Sequence, residues 1–567
     1  MPIDPISLEI QWNRLITIMD EVDIAVVRTS FSTIVGESRD FAVIMLDAQG
    51  RSLAQSQMSS PAFTCMLPVT IKHLLRQFPA ETLRPGDVLI TNDPWIGTGH
   101  LPDLSIFMPV FAGGRPVGFM GTAAHVSDIG GRLDYFDARD VYEEGLRIPP
   151  SKLFMAGEPN DQLLRIIEAN VRVPDQVLGD VFAIVGAERI GAGRLVEFVD
   201  AYGVEHFGEL AEEILRRTEM AMRQAIAQIP DGEYAYVHMA DGYREPVRIQ
   251  VRIVVEGDTL LADFTGSSPQ FPDASINCVT NIAAADVYYS IKSSFIPEIP
   301  NNEGLFRPIR VFAPEGSVLN TTFPSPVKSR SKTSFHIHQA IYGALAQAIP
   351  DRVQAGSGSF WLVTFYGQAD DGSTFAAHVI PNGGKGATAT EDGLPTTAFP
   401  YNGTVTPVEI LENQSPVMAV RKRFIADSGG AGRTRGGLAQ EIVYRCKGGR
   451  SVIAAVRPDK LKFPAPGILG GKAGMPGHFT LNGVEVTAEP HRIRKGDELV
   501  LWLPGGAGFG DPLARDPGRV AEDVREGFVT VAAAREEYGV VIDPGTGEVD
   551  AAATSAERAA RRRTTIA

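Results

Sequence analysis

Between positions 6 and 30 the apolar residues Ile6, Trp12, Leu15, Ile16, Met19, Val22 and Val26 recur at spacings near three and four, with acidic residues among them. That is the stripe an amphipathic helix buries. After a polar loop, DFAVIML and SLAQ, joined by DAQGR, predict a β-hairpin, and MLPVTIKHLLRQF predicts a second helix behind the loop SSPAFT. DVLI reads as a short strand. LSIFMPVF and PVGFMGTAA read as hairpin arms turning at AGGR, with Pro109 marking a sheet edge or a bulge. From Pro159 to about Ile229 the period is helical, and from Glu233 it becomes 2 through EYAYVHMA, VRIQVRIVVEG and TLLADFTG. Helices near AAADVYYSIKSSF and SFHIHQAIYGALAQAI follow. Beyond about Gly356 come glycine and short strands as far as LPGGAGFGDP, then two short helical runs.

This order predicts a multidomain α+β protein: an N-terminal mixed α/β region over 1–158, a helical block over 159–229 and a mixed β/α domain over 230–355. A glycine-rich β domain over 356–515 and a C-terminal helical segment with a tail over 516–567 complete a β-rich C-terminal half. No internal repeat with a fixed period is present.

Composition narrows the function. No stretch of the 567 residues nears the ~18 uninterrupted apolar positions a spanning helix needs. The acidic N-terminus MPIDPISLEI lacks an export signal, so a cytoplasmic protein is expected. Cys65, Cys278 and Cys446 are far apart and without CxxC spacing, and read as small buried hydrophobes. A net charge of -15 repels phosphate backbones, which argues against nucleic acid as a partner. The basic end ERAARRRTTIA reads as a disordered tail.

Two polar fragments interrupt the predicted strands, NDPWIGTGHLPD at 92–103 and AAHVSDIGG at 123–131. With AGGR as the turn, residues whose numbers sum to about 227 face one another, so Asp103 is expected opposite Ala124 and within one residue of His125. His100, on a glycine-loosened loop, can fold over the same open end. Two imidazoles and a carboxylate arranged in this way can hold a divalent cation with positions left open, and Asp128 is available as a ligand or as a catalytic base beside it. The alternative, histidines that merely hydrogen-bond a packed turn, fits the spacing equally well. Glu144 and Arg147 of EEGLRIPP are candidate substrate-binding residues. HIH at 336–338 falls on a predicted helix and reads as structural.

The glycine-rich segments do not build a nucleotide site. GGKAGMPG has Pro466 where a phosphate loop needs its first glycine, and Ala473 follows Lys472 in place of serine or threonine. SGGAGRTRGG and PGGAGFGD lack the third glycine of the dinucleotide fingerprint. PNGGKGA reads as a turn between strands.

ESRDFAV, NDPWIGTGHLPD, AAHVSDIGG, EEGLRIPP, DSGGAGRTRGG and PGGAGFGDPLARDP stand in an order that resembles the hydantoinase B/5-oxoprolinase family, over about residues 5 to 541. The resemblance implies a divalent metal held by His100, Asp103, His125 and also Asp40, and the borderline softness of the His/Asp set favours zinc over manganese or iron. It further implies a hydantoinase A-type ATPase partner, two copies of each chain, which binds ATP and phosphorylates the carbonyl oxygen of a hydantoin, 5-oxoproline or lactam. This chain would then carry the metal-activated nucleophile that opens the ring. The same resemblance admits a second activity, that of the α subunit of an acetone-type carboxylase.

Overall fold

Asp4 starts the first helix, α1 (Pro5–Thr29), by accepting the backbone N–H groups of Ile6 and Ser7 at 3.1 Å. Of the stripe its spacing predicts, Leu15, Ile16, Met19, Val22 and Val26 are buried, whereas Ile6 is exposed and Leu8 is buried in its stead. The structure, a computed structural model, describes residues 3–133, 136–397, 399–543 and 545–566. After the short α2 (Thr33–Gly36) come β1 (Phe41–Asp47), β2 (Ser52–Gln55) and α3 (Pro61–Gln77), which begins inside the segment expected as a loop. β3 (Val88–Thr91), β4 (Asp103–Ala112), β5 (Arg115–His125), β6 (Ser151–Met155) and β7 (Glu158–Pro159) complete a sheet of order β2-β1-β5-β4-β3-β6-β7. Every neighbouring pair is antiparallel. Both faces are covered, so β1 is buried at every position and reads as an unbroken apolar run. β4 is an inner strand, and the irregularity foreshadowed by Pro109 is a bulge between Val110 and Phe111.

The helical block is three helices, α4 (Asp161–Asn170), α5 (Pro174–Tyr202) and α6 (Val204–Ile226). Gly203, at φ 95°, turns the chain from α5 into α6 in a conformation that side chains other than glycine rarely adopt. α5 packs on β4 and β5 and crosses α1. β8 (Gly232–Ala240), β9 (Val247–Glu256) and β10 (Thr259–Asp263) form an antiparallel run, and after α7 (Thr280–Phe295) the strand β11 (Ile309–Phe312) joins β10 in parallel. The helix expected around HIH is two pieces, α8 (Ser331–Ser334) and α9 (Ile337–Leu345). One hydrophobic core takes side chains from Leu8 through Val353 and also Ile380, Ala387, Tyr401 and Phe509.

A second core, with Trp361, Val363, Phe365 and Leu501 at its centre, lies between two small antiparallel sheets. Between the cores, glycine-rich segments near 355–358, 383–387, 428–437, 465–474 and 504–510 pack backbone to backbone. Ala387 N–H donates to Ala507 O at 3.0 Å, Ala507 N–H to Gly356 O at 2.8 Å, and Gly437 N–H to Lys385 O at 2.8 Å. The 384–387 segment thus has neighbours on three sides where a strand has two. A Cβ on Gly386 would lie 1.8 Å from Ala355 O, and one on Gly506 would lie 2.0 Å from Lys385 O. PNGGKGA is part of this bundle and not a simple turn, because only chains without side chains approach so closely.

The basic C-terminus is likewise ordered. Ala551–Ile566 is a helix following the two expected ones, Pro517–Arg525 and Val531–Tyr538. Its alanines favour helix, and Arg558 anchors it to Tyr538 O at 3.0 Å and Arg515 O at 2.8 Å. Among the described residues no helix is long and apolar enough to cross a membrane.

Candidate functional site

β1, β5 and β4 open at one common end of the sheet. Asp103 begins β4 and pairs with His125, the last residue of β5, and the His125 N–H donates to the carbonyl of Asp40, just before β1, at 3.0 Å. The His125 Nδ1 lies 2.9 Å from Asp103 Oδ1 and 3.9 Å from Asp40 Oδ2. His100 arrives from the loop ahead of β4. Asn92 shapes that loop by donating to Leu101 O at 2.7 Å and Leu146 O at 2.9 Å and accepting from Ile148 N at 2.6 Å. Next to His100, Gly99 has φ 90°, and a Cβ there would meet Arg330 Cδ at 2.8 Å. The glycine in TGH lets Arg330 cross the loop and donate to Asp103 Oδ2 at 2.9 Å.

The protonation of His100 follows from its surroundings. Its Nδ1 is 2.8 Å from the carbonyl oxygen of Lys328, which can only accept, so the ring proton resides there. Burial, reinforced by Arg330, pushes the imidazole down to about 4, so at neutral pH the ring is uncharged. Its Nε2 therefore presents a lone pair, buried and without a hydrogen-bond partner, 2.8 Å from Asp103 Oδ1. Burial alone would raise the Asp103 carboxyl, yet the His125 imidazole at 2.9 Å and the Arg330 guanidinium at 2.9 Å hold it well below its ordinary value. Two acceptors this close repel unless a cation lies between them. Among the described residues His100, Asp103 and His125 form the one group whose ligand atoms, all within 4.8 Å of one another, suit a metal ion. Asp40 lies at the edge of this group. Burial pushes its carboxyl up to about 6, against the pull of His125.

These residues open into a cavity with walls from most of the chain. Ile34, Asp40, His100 and His125 come from the sheet end, Pro61 and Phe63 from α3, Asp286 and Tyr289 from α7. Arg330 and Phe335, and then Phe360, Tyr401 and Arg457 from the C-terminal half, close the rest. The chain around Tyr401 is fixed to the Asp40 loop, since Thr404 N donates to Ser38 O at 3.1 Å and Ser38 Oγ lies 3.1 Å from Thr406 Oγ1.

The remaining sequence candidates lie elsewhere. Asp128 is buried but does not line the cavity: it accepts from Gly130 N at 3.2 Å and from the Arg172 backbone, and pairs with the Arg172 guanidinium at 2.7 Å. Those bonds tie its turn to the residues just after α4. Glu144 is also outside the cavity. It accepts from the backbone N–H groups of Val327 and Lys328 at 2.9 Å, and so holds the peptide whose carbonyl orients His100. Arg147 pairs with Asp93 at 3.0 Å, lies over Phe323 and faces a separate surface cleft. His336 is bonded to His238 at 2.8 Å and to Asp459 at 3.1 Å, in a buried polar network. The cysteines are free, and burial pushes the Cys65 thiol up to about 12. Arg330, Asp286 and Tyr401 were not visible in the sequence, because nothing local distinguishes an arginine in KSRSK or an aspartate in AAADVYY.

The hydantoinase B/oxoprolinase family pattern matches residues 4–512. A protein assigned as the B subunit of a D-/L-hydantoinase from Pseudomonas sp. (strain NS671) is 32% identical over 95% of this chain and 95% of its own. The caprolactamase subunit beta of Pseudomonas jessenii is 30% identical over 98% and 99%. The crystal structure of the ATP-dependent caprolactamase from the same organism superposes with a TM-score of 0.89 at 28% identity, covering 98% of this chain and 100% of that one.

Proposed function

Because this chain belongs to the hydantoinase B/oxoprolinase family, we propose that it is the metal-dependent hydrolytic subunit of an ATP-dependent cyclic amide hydrolase. Its substrate is a hydantoin, 5-oxoproline or a related lactam whose carbonyl oxygen a hydantoinase A-type partner has phosphorylated. The observation that carries the metal reading is the lone pair of His100 Nε2 held 2.8 Å from the ionised Asp103 with no proton between them. His100, Asp103, His125 and Asp40 would hold one divalent cation, zinc in preference to manganese or iron on the borderline softness of the set. When bound, the cation supplies Lewis acidity and lowers the pKa of water at its open position.

The chain's own residues do the rest. Arg330 fixes the Asp103 carboxylate, and Lys328, whose N–H donates to Glu144, fixes the His100 tautomer through its carbonyl oxygen. Phe63, Phe335 and Phe360 give the cavity apolar walls that suit a small ring and exclude bulk water. Activation by a partner fits the chemistry, since an unstrained lactam is resonance-stabilised whereas its O-phosphorylated imidate is electrophilic. It also fits a chain without a competent phosphate loop. Cytoplasmic residence and a complex with two copies of each chain belong to the same proposal.

The test is a reconstituted pair offered hydantoins, 5-oxoproline, simple lactams and small ketones, with and without bicarbonate, while ATP consumption is followed. Turnover of a five-membered cyclic amide or imide, indifferent to bicarbonate, is expected. The isolated chain should neither bind nor hydrolyse ATP. Strict dependence on bicarbonate with a ketone would replace the hydrolase with the carboxylase.

A further inference from the structure

Asp286 sits in the middle of α7, on the wall of the cavity that His100, His125 and Arg330 also line. It is 3% exposed, and its Oδ2 is buried with no hydrogen-bond partner. A buried carboxylate whose one side-chain hydrogen bond is to a hydroxyl, that of Ser334, carries a large desolvation cost, which protonation removes. The groups that face it are Arg330 and Ser334 from the segment around α8, Cys65 from α3, Cys278 ahead of α7 and Tyr289 three residues on. Of these only Arg330 is charged, and its guanidinium is committed to Asp103 at 2.9 Å. Burial outweighs it and pushes the Asp286 carboxyl up to about 8.

We propose that Asp286 is the proton donor to the nitrogen that leaves when the ring amide opens; this rests on the cyclic amide reading above. In the opening, water adds its oxygen to the O-phosphorylated imidate carbon and one of its protons goes to the ring nitrogen; the C–N bond then breaks with its electron pair on nitrogen, leaving an acyl phosphate. An amine anion is too basic to be released as such, so the Asp286 hydroxyl delivers its proton to nitrogen and becomes a carboxylate. The hydroxyl gained by the carbon loses its proton to solvent, a second water converts the acyl phosphate to carboxylate and phosphate, and Asp286 regains a proton from solvent, which closes the cycle. The same neutral acid serves lactams better than imides or hydantoins, because an imide-type nitrogen leaves as a resonance-stabilised anion and needs less help.

Asp286→Asn keeps the shape but cannot deliver a carboxyl proton. In the reconstituted complex it should lower kcat on a simple lactam by about 100-fold or more, and on an imide or hydantoin by less than about 10-fold, with KM little changed. Equal losses on both substrate types would overturn the proposal and leave Asp286 a structural residue. Infrared difference spectra of the isolated chain, wild type minus Asp286→Asn, give a second readout that cancels the Glu188 carboxyl: a protonated-carboxyl C=O band at pH 7 that fades above pH 8. Absence of that band from the difference spectrum at pH 7 overturns the proposal even if the complex is active. A wild-type pair inactive on every cyclic amide sinks the functional reading and this proposal together, whereas uniform loss in the variant sinks this proposal alone.

Discussion

Asp103 stands directly opposite His125. At the turn Ala112 pairs with Arg115, so an unbroken hairpin would set Asp103 against Ala124. Opposite the Val110–Phe111 step β5 carries one extra residue, Val117, and this bulge shifts the register by one position. That residue brings the carboxylate and the imidazole to 2.9 Å on the same face. The geometry of the metal candidates is thus decided seven residues away from Asp103, at a point with no chemistry of its own.

The purified protein should hold about one divalent metal per chain, as found by elemental analysis. His100→Ala and His125→Ala should each lower occupancy below about a tenth while the fold persists by circular dichroism, because the site caps a preformed sheet end. Full occupancy in both variants would place the metal elsewhere.

Arg330→Met should destabilise the metal-free protein by about 3–5 kcal/mol in denaturant unfolding, since it leaves the buried Asp103 carboxylate without its 2.9 Å partner. Added zinc should recover more of that loss in the variant than it stabilises the wild type, because the cation answers the same charge. A loss that metal leaves untouched would show that Arg330 acts through packing.

Glu188, fully buried in α5, has Thr122 as its hydrogen-bond donor at 2.9 Å, and burial raises its carboxyl well above the ordinary value. The folded pKa exceeds the unfolded one, so the carboxyl favours folding below about pH 4.5 and loses that contribution as pH rises toward the folded value. Glu188→Gln should therefore gain on the wild type by about 1.4 kcal/mol per pH unit above pH 4.5 until the folded pKa is reached. Thermal unfolding from pH 4 to 8 checks this, and a pH-independent difference would mean that Glu188 is ionised in the fold.

In the glycine bundle, Gly386→Ala should cost more than about 3 kcal/mol or prevent folding, because the new methyl meets the Ala355 carbonyl at 1.8 Å. Gly186→Ala is the control. Gly186 lies on the exposed side of α5 with nothing within 4 Å of the new methyl, and the change should stabilise by about 0.5–1 kcal/mol.

The sheet end was legible in the sequence because a hairpin brings distant residues together by a simple count, and the count erred by the one residue a bulge adds. Asp40 needed the family resemblance, since a polar residue ahead of a strand has no periodicity of its own. Arg330 and Asp286 reach the cavity from around α7 and α8, and Tyr401 from a loop of the C-terminal half that joins the first core, so no spacing along the chain links them to His100. Asp128 and Glu144 have the residue types of catalytic groups, but three-dimensional partners, Arg172 and the Val327–Lys328 backbone, occupy them. The tail showed its charge plainly while the carbonyls that anchor Arg558 lay hidden in the fold.

The bundle of glycine segments also shapes how the protein responds to temperature. Exposing apolar surface raises the heat capacity of an unfolding chain, whereas exposing peptide groups lowers it. Segments that bury N–H and C=O against their neighbours, with almost no side chain between, therefore subtract from the total that the two apolar cores add. Their share of stability rests on hydrogen-bond enthalpy and fades little on cooling, unlike that of the cores around Leu8–Val353 and Trp361–Leu503. The part of the chain that closes the cavity with Phe360 and Tyr401 thus keeps its grip in the cold, where a purely apolar lid would loosen.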